Sequence, residues 1–435
     1  MTTRRIRFRG TLASLTPSER HQLVDRGQAA TDDMVRTTCE AIIDVVRRDG
    51  DAALISLARE YDKVRLRTIE VPRAAWRDAL DALSPDVRAA MERSASNIRA
   101  VHAASLPQTV EISPEPGVVV GRRPDPLSRV GVYAPGGRAA YPSSVLMGVI
   151  PARVAGVGEI VLCSPPNANG IPAAVTLAAA ELAGVDRVFA VGGAGAIAAM
   201  AYGTASIPPV DRIVGPGNAY VAQTKLLVAN VVAIDAPAGP SELLILADQT
   251  ANATRVAAEV LAQAEHDPEA VVTVLALGEG VGDRIAAEIE RLLPVQSRRA
   301  IIEQALAARG AVLGAASTPE AVAFINAFAP EHLLLATSDA DAVLADVRGA
   351  GTVFVGESSS VSFGDYMTGA NHVLPTGGLA RSYSGLSTLD FIRWTTYQRV
   401  DPDAAARLSS DVAAFADAEQ LPGHAAAARA WRRSS

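Results

Sequence analysis

Six histidines are spread along the chain, few enough that the neighbours of each can be read for chemistry. His21 and His102 stand in helical stretches without acidic or amide partners at metal-ligand spacing, which suits surface or packing roles. The other four have such partners. Gln263 and His266 are three apart in the helical run ATRVAAEVLAQAEHD. That spacing predicts a shared helix face from which an amide oxygen and an imidazole can bind one divalent cation. Asp365 and His372 flank the stretch GDYMTGANH, and Glu419 and His424 flank a Pro-Gly break near the C-terminus. Together they offer two carboxylates and two imidazoles, the mixed N/O set that zinc accepts. Each also reads as a hydrogen-bonded polar group in a turn. Glu331-His332, after Ala329-Pro330, joins an anion to a group that titrates near neutral pH, as general acid/base chemistry requires. A helix N-terminal Glu beside a core His is the structural alternative.

Three glycine-bearing turns could admit a cofactor. Gly193-Ala194-Gly195-Ala196-Ile197-Ala198 follows the run RVFAV and fits the G-x-G-x-x-A pattern, in which a pyrophosphate approaches backbone amides at a helix start. Gly215-Pro216-Gly217-Asn218 and Tyr133-Ala134-Pro135-Gly136-Gly137 also sit at expected strand ends. A shared crevice is one reading of the three, ordinary turn chemistry the other.

These residues need elements to position them. From about Pro17 to Ser105 the apolar spacing is helical, in ERHQLVDRGQ, DDMVRTTCEAIIDVVRRDG and SPDVRAAMERSASNIRAVHAA. Asp32 and Ser84 are expected N-caps, Pro85 occupies a first helical position and Gly50 ends the second helix. Further on, short β-branched runs alternate with Ala-rich helices: RVGVYAPGG, EIVLCSPP, RVFAV and RIVGPGN, then ELLILAD, VVTVLAL, AVLGAAS and GTVFVGE. That alternation predicts two α/β units in tandem, with right-handed crossovers, parallel sheets and ligands at the carboxyl ends of the strands. The tail from Asp401 reads as two short helices broken at Leu421-Pro422-Gly423, an arm rather than a core.

Composition excludes several function classes. At 435 residues the chain is long enough for about three units of roughly 150 residues. Hydrophobic residues make up 49% and charged residues 20%, a globular balance. The net charge of -7 lacks the basic excess that phosphate-backbone binding needs, which argues against nucleic acid as a partner. Cys39 and Cys163 alone cannot build a disulfide framework or a Cys-based zinc site. No run approaches the ~20 apolar residues that span a bilayer, so a soluble, cytoplasmic protein without membrane partners is expected.

Several longer segments resemble the L-histidinol dehydrogenase family: GPGNAYV (215–221), DAPAGPSE (235–242), LAQAEHD (261–267), APEHL (329–333), FGDYMTGANHVLPTGG (363–378), YSGLS (383–387) and EQLPGH (419–424). The resemblance covers nearly the whole chain. It implies one Zn2+ per subunit held by Gln263, His266, Asp365 and His424, and acid/base work by Glu331 and His332. L-histidinol would be contacted by Ser241, His372 and Glu419 together with the metal-binding and acid/base residues, and NAD by Tyr133, Gly195 and Asn218. At Gly195 the family usually carries Gln. The resemblance further implies a homodimer and two incomplete Rossmann-like units with parallel sheets, plus helical N-terminal and C-terminal arm regions. The expected boundaries are 1–25 for an N-terminal arm, 26–132 with 238–378 for a first unit carrying the zinc and catalytic residues, and 133–237 for a second, NAD-binding unit. A C-terminal arm, 379–435, would reach the partner subunit and carry Glu419 and His424 into its site. The implied activity is two successive NAD-dependent oxidations, from L-histidinol through L-histidinal to L-histidine. The competing readings are a paralogue acting on another small diol such as sulfopropanediol, a zinc hydrolase and a silent binding protein. The absence of an H-E-x-x-H helix weakens the hydrolase reading.

Overall fold

A computed structural model describes residues 5–26, 33–136 and 140–432. The expected cap Asp32 and the turn residue Gly137 lie outside the described residues. Along the chain run β1 (Phe8–Thr11), α1 (Pro17–Val24), α2 (Asp33–Asp49), α3 (Asp51–Leu57), α4 (Arg73–Asp81), α5 (Pro85–Ala104), β2 (Val110–Glu115), β3 (Val118–Pro126) and β4 (Arg129–Tyr133). Next come α6 (Pro142–Ala155), β5 (Glu159–Ser164), α7 (Ala174–Ala183), β6 (Arg187–Ala190), α8 (Gly193–Tyr202), β7 (Arg212–Val214), α9 (Ala219–Val228) and β8 (Ala233–Ile234). The second half has β9 (Glu242–Ala247), α10 (Ala253–Ala264), β10 (Val271–Leu277), α11 (Val281–Leu292), α12 (Arg299–Arg309), β11 (Ala311–Ala315), α13 (Thr318–Phe328), β12 (His332–Ala336), α14 (Ala340–Asp346), β13 (Thr352–Val355) and α15 (Val361–Tyr366). It closes with β14 (Ile392–Val400), α16 (Pro402–Ala418) and α17 (Pro422–Arg429).

The chain forms two compact units, the larger from 1–105 with 127–391 and the smaller from 106–126 with 392–435. The larger unit holds two sheets whose strand pairs are all parallel, as the strand-helix cadence predicts. The six-stranded sheet has the order β1-β11-β10-β9-β12-β13 and the five-stranded sheet β6-β5-β4-β7-β8. Apart from the edge strand β1, both follow one winding: first strand central, two successors to one side, two to the other. Each therefore reverses direction once, between β9 and β12 in one sheet and between β4 and β7 in the other. Such switch points open a crevice between diverging connections.

β9 shows why the strands are continuous apolar runs. Leu243 and Ile245 pack into one buried cluster with Val256 and Ile285, while Leu244 and Leu246 pack into another with Phe324 and Phe328. A strand covered on both faces needs apolar residues at every position. Each buried Leu or Ile contributes roughly 1.5–3 kcal/mol by leaving water.

The N-terminal helices differ from the expected grouping of 26–132 with 238–378. α2 packs on α8 and α9, α4 on α7, and α5 on α6, so residues 33–104 cover the helices of the five-stranded sheet. Residues 8–11, expected in an arm, instead pair with β11. The caps at Ser84 and Gly50 form as expected, Ser84 Oγ accepting the Val87 N–H and Gly50 adopting φ 55° after α2.

The smaller unit contains an antiparallel sheet, β14-β3-β2, that the sequence reading did not foresee. Its helices α16 and α17 pack through Ala413, Ala416 and Ala425. At 17 residues α16 is no short helix, and α17 begins at Pro422, inside the expected break.

Candidate active site

Glu331 and His332 lie at the amino end of β12, beside the amino end of β9, where His332 is in register with Leu243. Both side chains are buried. Glu331 Oε2 accepts hydrogen bonds from Ser241 Oγ at 2.7 Å and from the Glu242 N–H at 2.6 Å. Gln263 Nε2 in turn donates to Ser241 Oγ at 2.7 Å. His332 Nδ1 lies 3.0 Å from the Glu242 carbonyl and 3.4 Å from Glu331 Oε2. With both neighbours acceptors, Nδ1 carries the proton, and Nε2 faces Asp365 Oδ1 at 3.7 Å. Burial alone would lower the His332 pKa, yet Glu331, Asp365 and the Glu242 carbonyl push it up to about 9. Burial likewise opposes the charge of Glu331, but His332, Ser241 and the Glu242 N–H hold its carboxyl below the ordinary range.

Sequence reasoning missed Glu242. Its backbone bonds both Glu331 and His332, while its buried carboxylate is held by Arg26, Nε to Oε1 at 2.7 Å and a second guanidinium nitrogen to Oε2 at 2.9 Å. The Gly377 N–H also donates to Glu242 Oε1, at 2.9 Å. A charged residue opening the apolar run ELLILA was the available signal.

Asp365 belongs to α15, and its backbone carbonyl lies 3.0 Å from His372 Nδ1. Burial draws the His372 pKa down, with Asp365 opposing. α10 is tied to α15 by Glu259, whose carboxylate accepts the Val361 N–H at 3.3 Å. Gln263 lies one turn beyond Glu259, and Asp365 one turn beyond Val361, so corresponding turns of the two helices carry them. Burial raises the pKa of the Tyr366 phenol, and the carboxylates of Asp365 and Glu265 add to the rise. One expectation is corrected here: α10 ends at Ala264, and His266 stands exposed in the loop after the Glu265 cap rather than on a helix face shared with Gln263. The 3.3 Å bond from the His266 N–H to the Gln263 carbonyl keeps the last turn closed.

The glycine turns gather elsewhere, at the carboxyl ends of β4, β6 and β7. Tyr133, the last residue of β4, accepts the Gly193 N–H on its hydroxyl at 3.0 Å. Burial pushes the Tyr133 phenol up to about 12. Gly215, just after β7, has φ 115°, and a Cβ there would sit 2.0 Å from the Tyr133 carbonyl oxygen. Asn218 caps α9, its Oδ1 accepting the Val221 N–H at 3.1 Å. Gly195 is buried in the first turn of α8, where a Cβ would lie 3.0 Å from Leu57 Cδ1 of α3. Glu419 and His424, in the smaller unit, are exposed on either side of the turn between α16 and α17.

A family model described as histidinol dehydrogenase matches residues 25–432. The chain belongs to the histidinol dehydrogenase family. It is 43% identical over 420 residues to a histidinol dehydrogenase of Methanosarcina mazei, covering 96% of each chain. With that of Natronomonas pharaonis it shares 48% over 415 residues, 95% of this chain and 97% of the relative. The crystal structure of histidinol dehydrogenase from Elizabethkingia anophelis superposes with a TM-score of 0.92 at 36% identity, covering 98% of each chain. This histidinol dehydrogenase relationship makes the chain an oxidoreductase and leaves the sulfopropanediol reading without support.

Within this family member the structure brings Ser241, Gln263, Glu331, His332, Asp365 and His372 into one neighbourhood. Tyr133, Gly195 and Asn218 form a second group on the other sheet. The second group stands at carboxyl strand ends, the place where ligands were expected. Glu331 and His332 stand instead at the amino ends of β12 and β9, because His332 opens its strand rather than closing it. Among the described residues, no three or more of His, Cys, Asp and Glu stand close enough together to hold a metal. No helix among them is long and apolar enough to cross a membrane.

Proposed function

We propose that this chain oxidises L-histidinol to L-histidine in two NAD-dependent steps, as a cytoplasmic homodimer with one zinc per subunit. The observation that carries this reading is the continuous chain of hydrogen bonds Gln263–Ser241–Glu331, flanking a His332 whose Nε2 faces Asp365. Gln263, His266 and Asp365 would hold the metal with His424. Their oxygen and nitrogen donors suit zinc, and the Glu259 bridge between α10 and α15 supports a shared site. Bound zinc supplies a template for the imidazole and amine of histidinol, and bound NAD accepts hydride.

The chain's own residues do the rest. In its neutral form, with the remaining proton on Nδ1 anchored to the Glu242 carbonyl, His332 takes the proton of the substrate hydroxyl on Nε2. With its pKa pushed up to about 9, that form and the turnover rate should grow as pH rises toward that value. Glu331 then serves the second oxidation by accepting a proton from the water that attacks the aldehyde. Its Oε1 makes no hydrogen bond among the described residues, whereas Oε2 is committed to Ser241 and Glu242. His332 acts as base again when the hydrated aldehyde is oxidised. Ser241, His372 and Glu419 contact the substrate, and Tyr133, Gly195 and Asn218 the cofactor.

The test is a steady-state assay with L-histidinol and NAD before and after chelation. Expected are about two NADH per histidinol, loss of activity on chelation and recovery with zinc. No NADH from histidinol, or one per molecule with histidinal accumulating, overturns the reading.

A further inference from the structure

Lys225 and Asp235 form an ion pair with both side chains almost fully buried, far from Glu331 and His332 in sequence and on the other sheet. A buried pair of this kind adds little net stability, because desolvation offsets the attraction. Its partners point to another use. Asp235 Oδ2 accepts the Gly215 N–H at 2.7 Å, and Lys225 Nζ donates to the Gly215 carbonyl at 2.9 Å. One ion pair thus grips both polar groups of a single glycine. Asp235 comes directly after β8 and Lys225 from α9, so two elements converge on the residue that follows β7.

Gly215 occupies a sensitive position. It stands at the switch point between β4 and β7, in a left-handed conformation, so close to Tyr133 that a Cβ on it would meet the Tyr133 carbonyl oxygen at 2.0 Å. Tyr133 holds the Gly193 N–H, and Gly215 starts the turn that ends at the Asn218 cap. A shift of the Gly215 peptide would therefore move Tyr133 and Asn218 together.

We propose that Lys225 and Asp235 are positioning residues for the cofactor: by clamping Gly215 they fix Tyr133 and the Gly215–Asn218 turn in the arrangement that receives the dinucleotide. This rests on the NAD reading above. The clamp works through two directed hydrogen bonds, so a neutral pair that preserves them should replace it, whereas an apolar pair of similar size should not.

The experiment uses the full-length, zinc-loaded enzyme. NAD and histidinol affinities are measured by calorimetry, and KM for each by steady-state kinetics, for wild type, Lys225→Gln/Asp235→Asn and Lys225→Met/Asp235→Leu. The amide pair should stay within about twofold of wild type for NAD, and the apolar pair should weaken NAD by about tenfold or more, since small misplacements of binding groups act on this scale. Histidinol affinity and zinc content should be unchanged in both. If the apolar pair does not fold, Lys225→Met/Asp235→Asn, which keeps an acceptor for the Gly215 N–H but has no donor for its carbonyl, carries the same expected loss. Wild-type NAD affinity in the apolar pair, or in Lys225→Met/Asp235→Asn where that pair is insoluble, overturns the clamp. Equal loss for NAD and histidinol does so as well. Failure of the wild-type enzyme to bind NAD overturns the functional reading instead.

Discussion

His332 owes its orientation to acceptors on one side of its ring and a carboxylate on the other. The Glu242 carbonyl and Glu331 hold Nδ1, which leaves Nε2 directed at Asp365. His266, by contrast, is exposed in a loop and contributes no described bond to that network. The two histidines should therefore fail differently when replaced. His332→Asn is expected to retain zinc but turn over about 10²–10⁴-fold more slowly, the usual loss for a general base. His266→Asn should be metal-poor and bind histidinol weakly. Metal analysis alongside kinetics checks both, and equal zinc content with equal kinetics would contradict the assignment. The Glu331-His332 pair was readable because its members are adjacent and chemically unlike. Glu242 was not, since its service to that pair comes through its backbone, which no side-chain pattern reveals.

At the scale of elements, the strand-helix cadence announced two parallel sheets, and the runs ELLILA and VVTVLAL marked strands covered on both faces. β12 escaped notice. HLLLA follows Ala329-Pro330 and a long helix, and its polar first residue reads equally well as a core histidine. The same strand sets where Glu331 and His332 stand, since its amino end rather than its carboxyl end carries them. Arg26 braces that end. Its guanidinium spans Glu242 and the Phe328 carbonyl, stacks 3.4 Å from the centre of the Phe328 ring, and so ties the chain after α1 to β9 and α13. Arg26→Met would leave the Glu242 carboxylate buried without its cation, a change that typically costs about 3–5 kcal/mol. Chemical denaturation should show a loss of that size. A variant within about 0.5 kcal/mol of wild type would mean that Glu242 does not depend on Arg26.

At the scale of the whole molecule, the question is which copy of the chain the C-terminal residues Glu419 and His424 serve. Glu419 and His424 flank a turn made by Gln420 at φ 59°, a left-handed conformation that non-glycine residues adopt mainly where the surroundings impose it. Sequence alone could name these two residues through the EQLPGH resemblance, but no periodicity in one chain tells which copy of a dimer they serve. Mixing does. His266→Asn and His424→Asn should each be inactive as homodimers. If the arm acts on the partner, a mixed dimer has one site with both histidines intact and one with neither. Unfolding and refolding equal amounts together should then restore about one quarter of wild-type activity, because half the dimers are mixed and half their sites work. If each chain supplies its own His424, every site in the mixture keeps one defect and no activity returns.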